Sequence, residues 1–178
     1  MIRLFAAIPL PQEVADAVAH RQYGLAGARW TPRENLHLTL RFAGDVSEPQ
    51  GADFATELSV VRSPPLGLAL SGVGSFSSAR DVRKLWAGVE ASGPLQLLAS
   101  RCETAARRSG LTPERRQWRP HVTLAHVKEA DASQVAAWIQ AHNLMRSSPF
   151  QVTSFGLYSS WRAAGGSAYR LERLYPLG

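Results

Sequence analysis

The chain reads as an α+β protein made of two similar lobes, and three observations lead there. The tetrapeptide His37-Leu38-Thr39-Leu40 is answered 84 residues later by His121-Val122-Thr123-Leu124. The same offset carries Pro65 onto Pro149 and Gly72 onto Gly156, with a helix-like stretch before each proline and a strand-like run after it. Several strand pairs have no helix between them, which favours antiparallel or mixed sheets. A constant offset through motif, helix, proline and glycine reads as an internal duplication. One repeat pair is too few for a solenoid. Two lobes facing each other within a single domain, residues 1–178, is the expected arrangement.

Arg3 to Ile8 reads as the first strand; the apolar run around it is short and lacks the cleavage pattern of a signal peptide. Pro11 opens a helix at its first position, where a missing N–H is harmless, with Val14, Ala15, Val18 and Ala19 inward. Ala28 to Thr31 is a short strand, and Pro32-Arg33-Glu34-Asn35 a turn into the strand Leu36 to Phe42, which Gly44-Asp45 ends. Ser47 is an N-cap with Gln50 in the capping-box position, for a helix reaching Val61. Leu66 to Val73 and Arg83 to Val89 alternate like strands and are joined by a glycine- and serine-rich loop, Gly74 to Asp81. Pro94 opens a helix through Leu97, Leu98, Cys102 and Ala105 that stops at Gly110. A basic loop, Leu111 to Arg116, leads to the strand Trp118 to Val127. A helix from about Ser133 to His142 follows, then a strand Phe150 to Tyr158, a Gly165-Gly166 turn, and a last strand Ala168 to Leu174.

Composition narrows the function classes. No apolar run approaches the ~20 residues that span a bilayer. Cys102 is the only cysteine, which excludes an internal disulfide and a thiolate zinc cluster. A soluble, cytoplasmic, monomeric protein with no membrane partner is expected. The net charge is +6, and all but Lys84 and Lys128 of the 20 basic residues are arginine. A planar guanidinium suits phosphate, and a basic protein attracts polyanions, so nucleic acid is a candidate partner.

The duplicated motif carries the chemistry. Side chains alternate along a strand, so His37 and Thr39 share a face, about 6.5–7 Å apart, while Leu36, Leu38 and Leu40 point into a core. His121 and Thr123 repeat this, with Val122 and Leu124 behind them. Counting on by twos puts Arg41 and Arg119 on the same faces, as further oxyanion contacts. An imidazole titrates near pH 6.5, so two across a substrate form an acid–base pair, and each threonine hydroxyl can donate to a charged oxygen. That complement suits attack on phosphorus. A zinc site would need a third ligand, and neither motif has a neighbouring His or Cys to supply one, so neither metal nor cofactor is expected. His20 and His142 read as surface helix residues, and Trp138 as core. Of the strand aromatics, Trp30, Phe76 and Trp86 read as core, whereas Phe5 and Tyr158 are candidates for stacking on a base.

At these residues the chain resembles the two-histidine (2H) phosphoesterase superfamily, and within it the RNA 2′,3′-cyclic phosphodiesterases, also called 2′-5′ RNA ligases. The resemblance runs through Arg3-Leu4-Phe5-Ala6-Ala7-Ile8-Pro9, Asn35-Leu36-His37-Leu38-Thr39-Leu40-Arg41-Phe42 with Gly44, Gly72-Val73-Gly74-Ser75-Phe76, Leu85-Trp86-Ala87-Gly88-Val89 and Arg119-Pro120-His121-Val122-Thr123-Leu124-Ala125. It implies a bilobal, pseudo-symmetric fold with largely antiparallel sheets around a central cleft and helices outside. It implies metal-independent hydrolysis of a terminal 2′,3′-cyclic phosphate on RNA, tRNA fragments included, to a 2′-phosphate, and a reversible 2′-5′ ligase activity. In that scheme His37 is the proton donor, His121 the proton acceptor, and Thr39 and Thr123 hold the phosphate. Relatives often carry arginine where this chain has His126, which when protonated would substitute for it. Two other readings use the same residues: a phosphodiesterase for 2′-5′-linked or small cyclic nucleotides, and a non-catalytic nucleotide- or RNA-binding module.

Overall fold

The computed structural model describes residues 1–77 and 83–178. The chain runs β1 (Ile2–Pro9), α1 (Gln12–Ala19), β2 (Ala28–Trp30), one 3₁₀ turn (Arg33–Asn35), β3 (His37–Val46), α2 (Glu48–Ser59), β4 (Leu66–Leu68) and β5 (Leu70–Phe76). It continues through β6 (Arg83–Val89), α3 (Gly93–Arg108), β7 (His121–Val127), α4 (Ala132–His142), β8 (Phe150–Val152), β9 (Ser154–Ala163) and β10 (Gly166–Pro176). Every strand pairing among the described residues is antiparallel. Of the loop expected over 74–81, residues 74–76 belong to β5 and residues 78–81 lie outside the described residues.

The strands order themselves as β10-β9-β1-β3-β7-β6-β5, with β2 beside β7 and a separate β4-β8 ribbon. This order is a palindrome about the β3–β7 seam, and the duplication is its cause. The one registered pair across the seam is Leu38 opposite Val122, a residue and its counterpart 84 positions on. In the small ribbon Gly67 faces Gln151, again counterparts. A pseudo-two-fold axis therefore passes through both pairs. The copies also exchange strands: β5 of the first pairs with β6 of the second, and β9 of the second with β1 of the first. Neither copy completes its half of the sheet alone. β2 and β10 have no counterparts.

Four helices cover the outer face. α3 buries Leu95, Leu98, Ala99, Cys102, Ala105 and Ala106, the i, i+3, i+4, i+7 stripe that a core-facing helix needs. Ser92 caps it at 3.3 Å from the Leu95 N–H, and Gly110, at φ +78°, ends it. Burial pushes the Cys102 thiol up to about 12, so it is an inert core residue. Ser47 caps α2 by accepting from Gln50 N–H, but the capping box is only half made: the Gln50 side chain donates instead to Gly110 O at 3.1 Å. Pro11 is the N-cap of α1 rather than its first residue, and α4 starts at Ala132, capped by Asp131. No helix among the described residues is long and apolar enough to cross a membrane.

Two expected strands are split, at Ala69 and at Thr153, because each copy sends its first segment to the β4-β8 ribbon and its second to the main sheet. Gly44-Asp45 does not end β3. With Gly44 at φ +78°, the strand passes over a bulge at Ala43 and runs on to Val46.

A second pair of bulges matters more. The register moves from Ala7↔Thr39 to Ala6↔Arg41, leaving Leu40 extra, and from Trp86↔Thr123 to Leu85↔Ala125, leaving Leu124 extra. Leu40 and Leu124 are again counterparts. Each bulge shifts the alternation by one, which sends Arg41 and Ala125 into the core and turns Phe42 and His126 to the inner face. Arg41 is 8% exposed; it pairs with Glu103 of α3 and donates to Thr112 O at 2.6 Å and to Phe42 O.

Arg41→Met should therefore act on stability. Breaking a fully buried pair costs ~3–5 kcal/mol, and because Glu103 stays 27% exposed we expect about 2–3 kcal/mol from urea unfolding. A loss under about 0.5 kcal/mol, the size of an ordinary surface substitution, would mean that the pair does not anchor α3 to β3.

Candidate active site

His37 and His121 are the first residues of β3 and β7, where the chain enters the sheet on either side of the seam. Each ring is held by the same local bond. Nδ1 lies 2.6 Å from Asn35 O in His37 and 2.7 Å from Arg119 O in His121, carbonyls that are themselves 84 residues apart. A carbonyl only accepts, so Nδ1 carries a proton in both rings, and in the neutral form Nε2 is left as the free base. The Thr39 hydroxyl, 3.1 Å away, donates to Nε2 of neutral His37.

Both histidines are half-buried, and both are shifted below the ordinary imidazole value. Desolvation is the main cause in each. The backbone carbonyls oppose the shift, and repulsion from His121 adds to it at His37, as repulsion from Lys84 does at His121. His37 is the more enclosed: its ring lies 4.9 Å from Phe5 and 5.3 Å, edge-on, from Tyr169. His121 is flanked edge-on by Phe76 at 5.1 Å.

A cleft of about 1030 Å³ opens along the seam and takes His37, Thr39 and Thr123 into its wall. His121 shares a strand face with Thr123 but is not itself a wall residue. His126 lines the cleft because of the bulge at Leu124. Arg41 does not, being turned to the core. Arg119 lies before β7 begins; it contributes its carbonyl to His121 and no side-chain contact to the cleft. Phe5 is only 3% exposed and forms the floor, stacked on Tyr158 at 5.4 Å. Neither presents a free face as a base platform, and Tyr158 is not a wall residue. Phe76 and Trp86 pack on each other at 5.3 Å, and Trp86 fills the space over Gly74, where a Cβ would meet its ring at 2.3 Å. Trp138 is buried and donates to Tyr23 O.

Several wall residues have no signature that alternation could find. Tyr169 arrives on β10, a strand without a counterpart. Phe42, 44% exposed under the Arg3 guanidinium, faces the cleft only because of the bulge. Among the described residues Arg3, Arg29, Lys84, Arg162 and Arg170 make the wall cationic against one acid, Asp45. Two fixed-tautomer imidazoles, two hydroxyls and a surplus of cations can bind a phosphate and move protons on either side of it. Among the described residues no three His, Cys, Asp or Glu side chains cluster to hold a metal.

The 2′-5′ RNA ligase superfamily model matches residues 10–163. The RNA 2′,3′-cyclic phosphodiesterase of Escherichia coli is 33% identical over 94% of this chain and 92% of its own length. That of Archaeoglobus fulgidus is 27% identical over 98% and 99%. The crystal structure of E. coli LigT complexed with 3′-AMP superposes with a TM-score of 0.81 at 28% identity, covering 99% of this chain and 98% of that one. With likeness in sequence and in fold over nearly its whole length, the chain belongs to the 2′-5′ RNA ligase superfamily.

Proposed function

We propose that this protein is an RNA 2′,3′-cyclic phosphodiesterase that opens a terminal cyclic phosphate to a 2′-phosphate by paired histidine acid–base catalysis. The observation that carries the reading is the symmetric anchoring of His37 and His121 through Nδ1, which leaves both Nε2 atoms for chemistry at one seam. The names borne by the E. coli and A. fulgidus relatives support the substrate.

In the reaction neutral His121 takes a proton from water as its oxygen bonds to phosphorus. The P–O3′ bond breaks, and imidazolium His37 supplies the proton to O3′. Desolvation beside Phe5 and Tyr169 makes that imidazolium a stronger acid, which suits the donor, while the less enclosed His121 suits the acceptor of a water proton. Thr39 and Thr123 donate to the non-bridging oxygens, whose charge grows in the transition state. An RNA 5′-hydroxyl in place of water would form a 2′-5′ linkage through the same steps. The direct test is an oligonucleotide ending in 2′,3′-cyclic phosphate, incubated with chelator present. A 2′-phosphate product is expected; a 3′-phosphate, or loss of activity to the chelator, would overturn the mechanism.

His37→Ala and His121→Ala should each lower kcat by roughly 10²- to 10⁴-fold, the usual worth of a positioned acid or base. A folded variant of either that keeps wild-type turnover would end the paired mechanism.

The pH profile of kcat/KM should be a bell with its optimum below about 6.5, the ordinary imidazole value. Activity rises as His121 deprotonates through its lowered pKa and falls as His37 deprotonates through its own, and burial lowers both. The two limbs belong to the pair. In kcat, which reports the complex, the bound phosphate anion favours both imidazolium forms and moves the bell to higher pH. A kcat/KM that rises steadily above about pH 8 would point to another base, because no imidazole titrates there.

Thr39→Val and Thr123→Val each remove a hydrogen bond to a charged oxygen, worth about 1.5–3 kcal/mol, or roughly ten- to a few-hundredfold in kcat/KM. Valine keeps the β-branch that suits the strand. We expect the loss in kcat; a loss confined to KM would mean that the hydroxyls bind substrate and transition state alike.

A further inference from the structure

The pseudo-two-fold axis relates surfaces of opposite chemistry. On one side Phe5 of β1 stands opposite Phe42 of β3; at the equivalent rung on the other, Lys84 of β6 stands opposite His126 of β7. Both are the second rungs after the bulges at Leu40 and Leu124, and both line the cleft. β2 then places Arg29 opposite His126 from its free side. Residues directly opposite on neighbouring strands share a face. Arg29, His126 and Lys84 therefore form a row across three strands, spanning about 10 Å at 4.7–4.9 Å per strand.

Arg29 and Lys84 are exposed, and neither forms an ion pair among the described residues. On the aromatic side the cation Arg3 has Asp45 in register with it and lies over Phe42. Also on that side Arg170 pairs with Glu172, and Arg162 of β9 is the one wall cation there without an ion pair or acid in register among the described residues. On the β2–β7–β6 side two such cations flank one residue, His126.

With a cyclic phosphate at the seam, the terminal nucleoside has two substituents left to place, its base and its 5′-phosphodiester. An aromatic surface suits the base, and two cations flanking an imidazole that can donate a hydrogen bond suit the phosphodiester. The geometry points to Arg29, His126 and Lys84 as a second phosphate subsite, which holds the phosphodiester on the 5′ side of the terminal nucleoside. This rests on the cyclic phosphodiesterase reading and adds a direction to the bound strand: its body leaves over β2, β7 and β6, and its last base lies toward Phe42. It also makes the enzyme prefer an RNA end to a free cyclic mononucleotide.

The test compares kcat/KM on three substrates: a nucleoside 2′,3′-cyclic phosphate, the same compound bearing a 5′-phosphate, and a short RNA with the same terminus. Wild type should prefer the second and third to the first. Arg29→Ala should shrink that preference about tenfold, as expected for one lost bond to a charged group, and Arg29→Lys should keep most of it. On RNA the log–log dependence on salt should flatten by about 0.7 in Arg29→Ala, the share of one phosphate contact on a single strand. Arg29 lies exposed on a short strand, so the fold should persist, and a circular dichroism spectrum checks it. Active wild type and Arg29→Ala with the same substrate preference would overturn the subsite and leave the reaction standing. Wild type inactive on all three would remove the reaction, and the subsite with it.

Discussion

The single backbone pair between Leu38 and Val122 is the constraint on which the site depends. Because the two residues are counterparts in the duplication, antiparallel pairing there makes the copies symmetric about that point. Everything one residue away is then set twice. His37 and His121 enter on either side, and Thr39 and Thr123 follow on the same faces. A longer ladder would have pulled β3 and β7 into a flat continuous sheet. One pair fixes register while leaving the two halves free to diverge, and the cleft opens along that line. The strand exchange ties the halves together: β5 and β9 each complete the other copy's half.

How far the sequence reveals this depends on whether a feature is local. The His-x-Thr pairs are legible because alternation over three residues needs nothing beyond the strand itself. Helix stops at Gly110 and caps at Ser47 are legible for the same reason. Arg41 is the instructive failure. Counting by twos from His37 puts it in the cleft, but one extra residue at Leu40 reverses the alternation and sends it to Glu103. A bulge is a property of a strand and its neighbour, so no periodicity within β3 could reveal it. The same inversion hides Phe42 and brings His126 into the wall. Arg119 fails differently: the strand starts two residues after it, and its carbonyl, not its guanidinium, reaches the site. Gly72 and Gly156, matched by the repeat, serve different needs. Gly72 takes φ +72°, and Gly156 leaves room for Leu171 and Tyr158, each 2.7 Å from where a Cβ would stand.

Symmetry alone would make the two histidines equivalent, and an acid–base pair requires that they differ. The element that breaks the equivalence at His37 is β10, a strand outside the repeat. It carries Tyr169 against His37 and Phe5, and the Ser167 carbonyl accepts from the Asn35 side chain at 2.8 Å. Asn35 is also the residue whose carbonyl holds the His37 ring, so β10 encloses the ring and braces its anchor together. On the other side Phe76 flanks His121, β5 is the last strand of the sheet among the described residues, and Lys84 supplies a charge instead. One imidazole is thus desolvated by aromatic rings, and the other is left more open beside a cation. Duplication supplies two copies of the same proton-transfer group at one seam. Strand β10, outside the repeat, gives one of them a different environment, which lets identical side chains divide the roles of donor and acceptor in the proposed reaction.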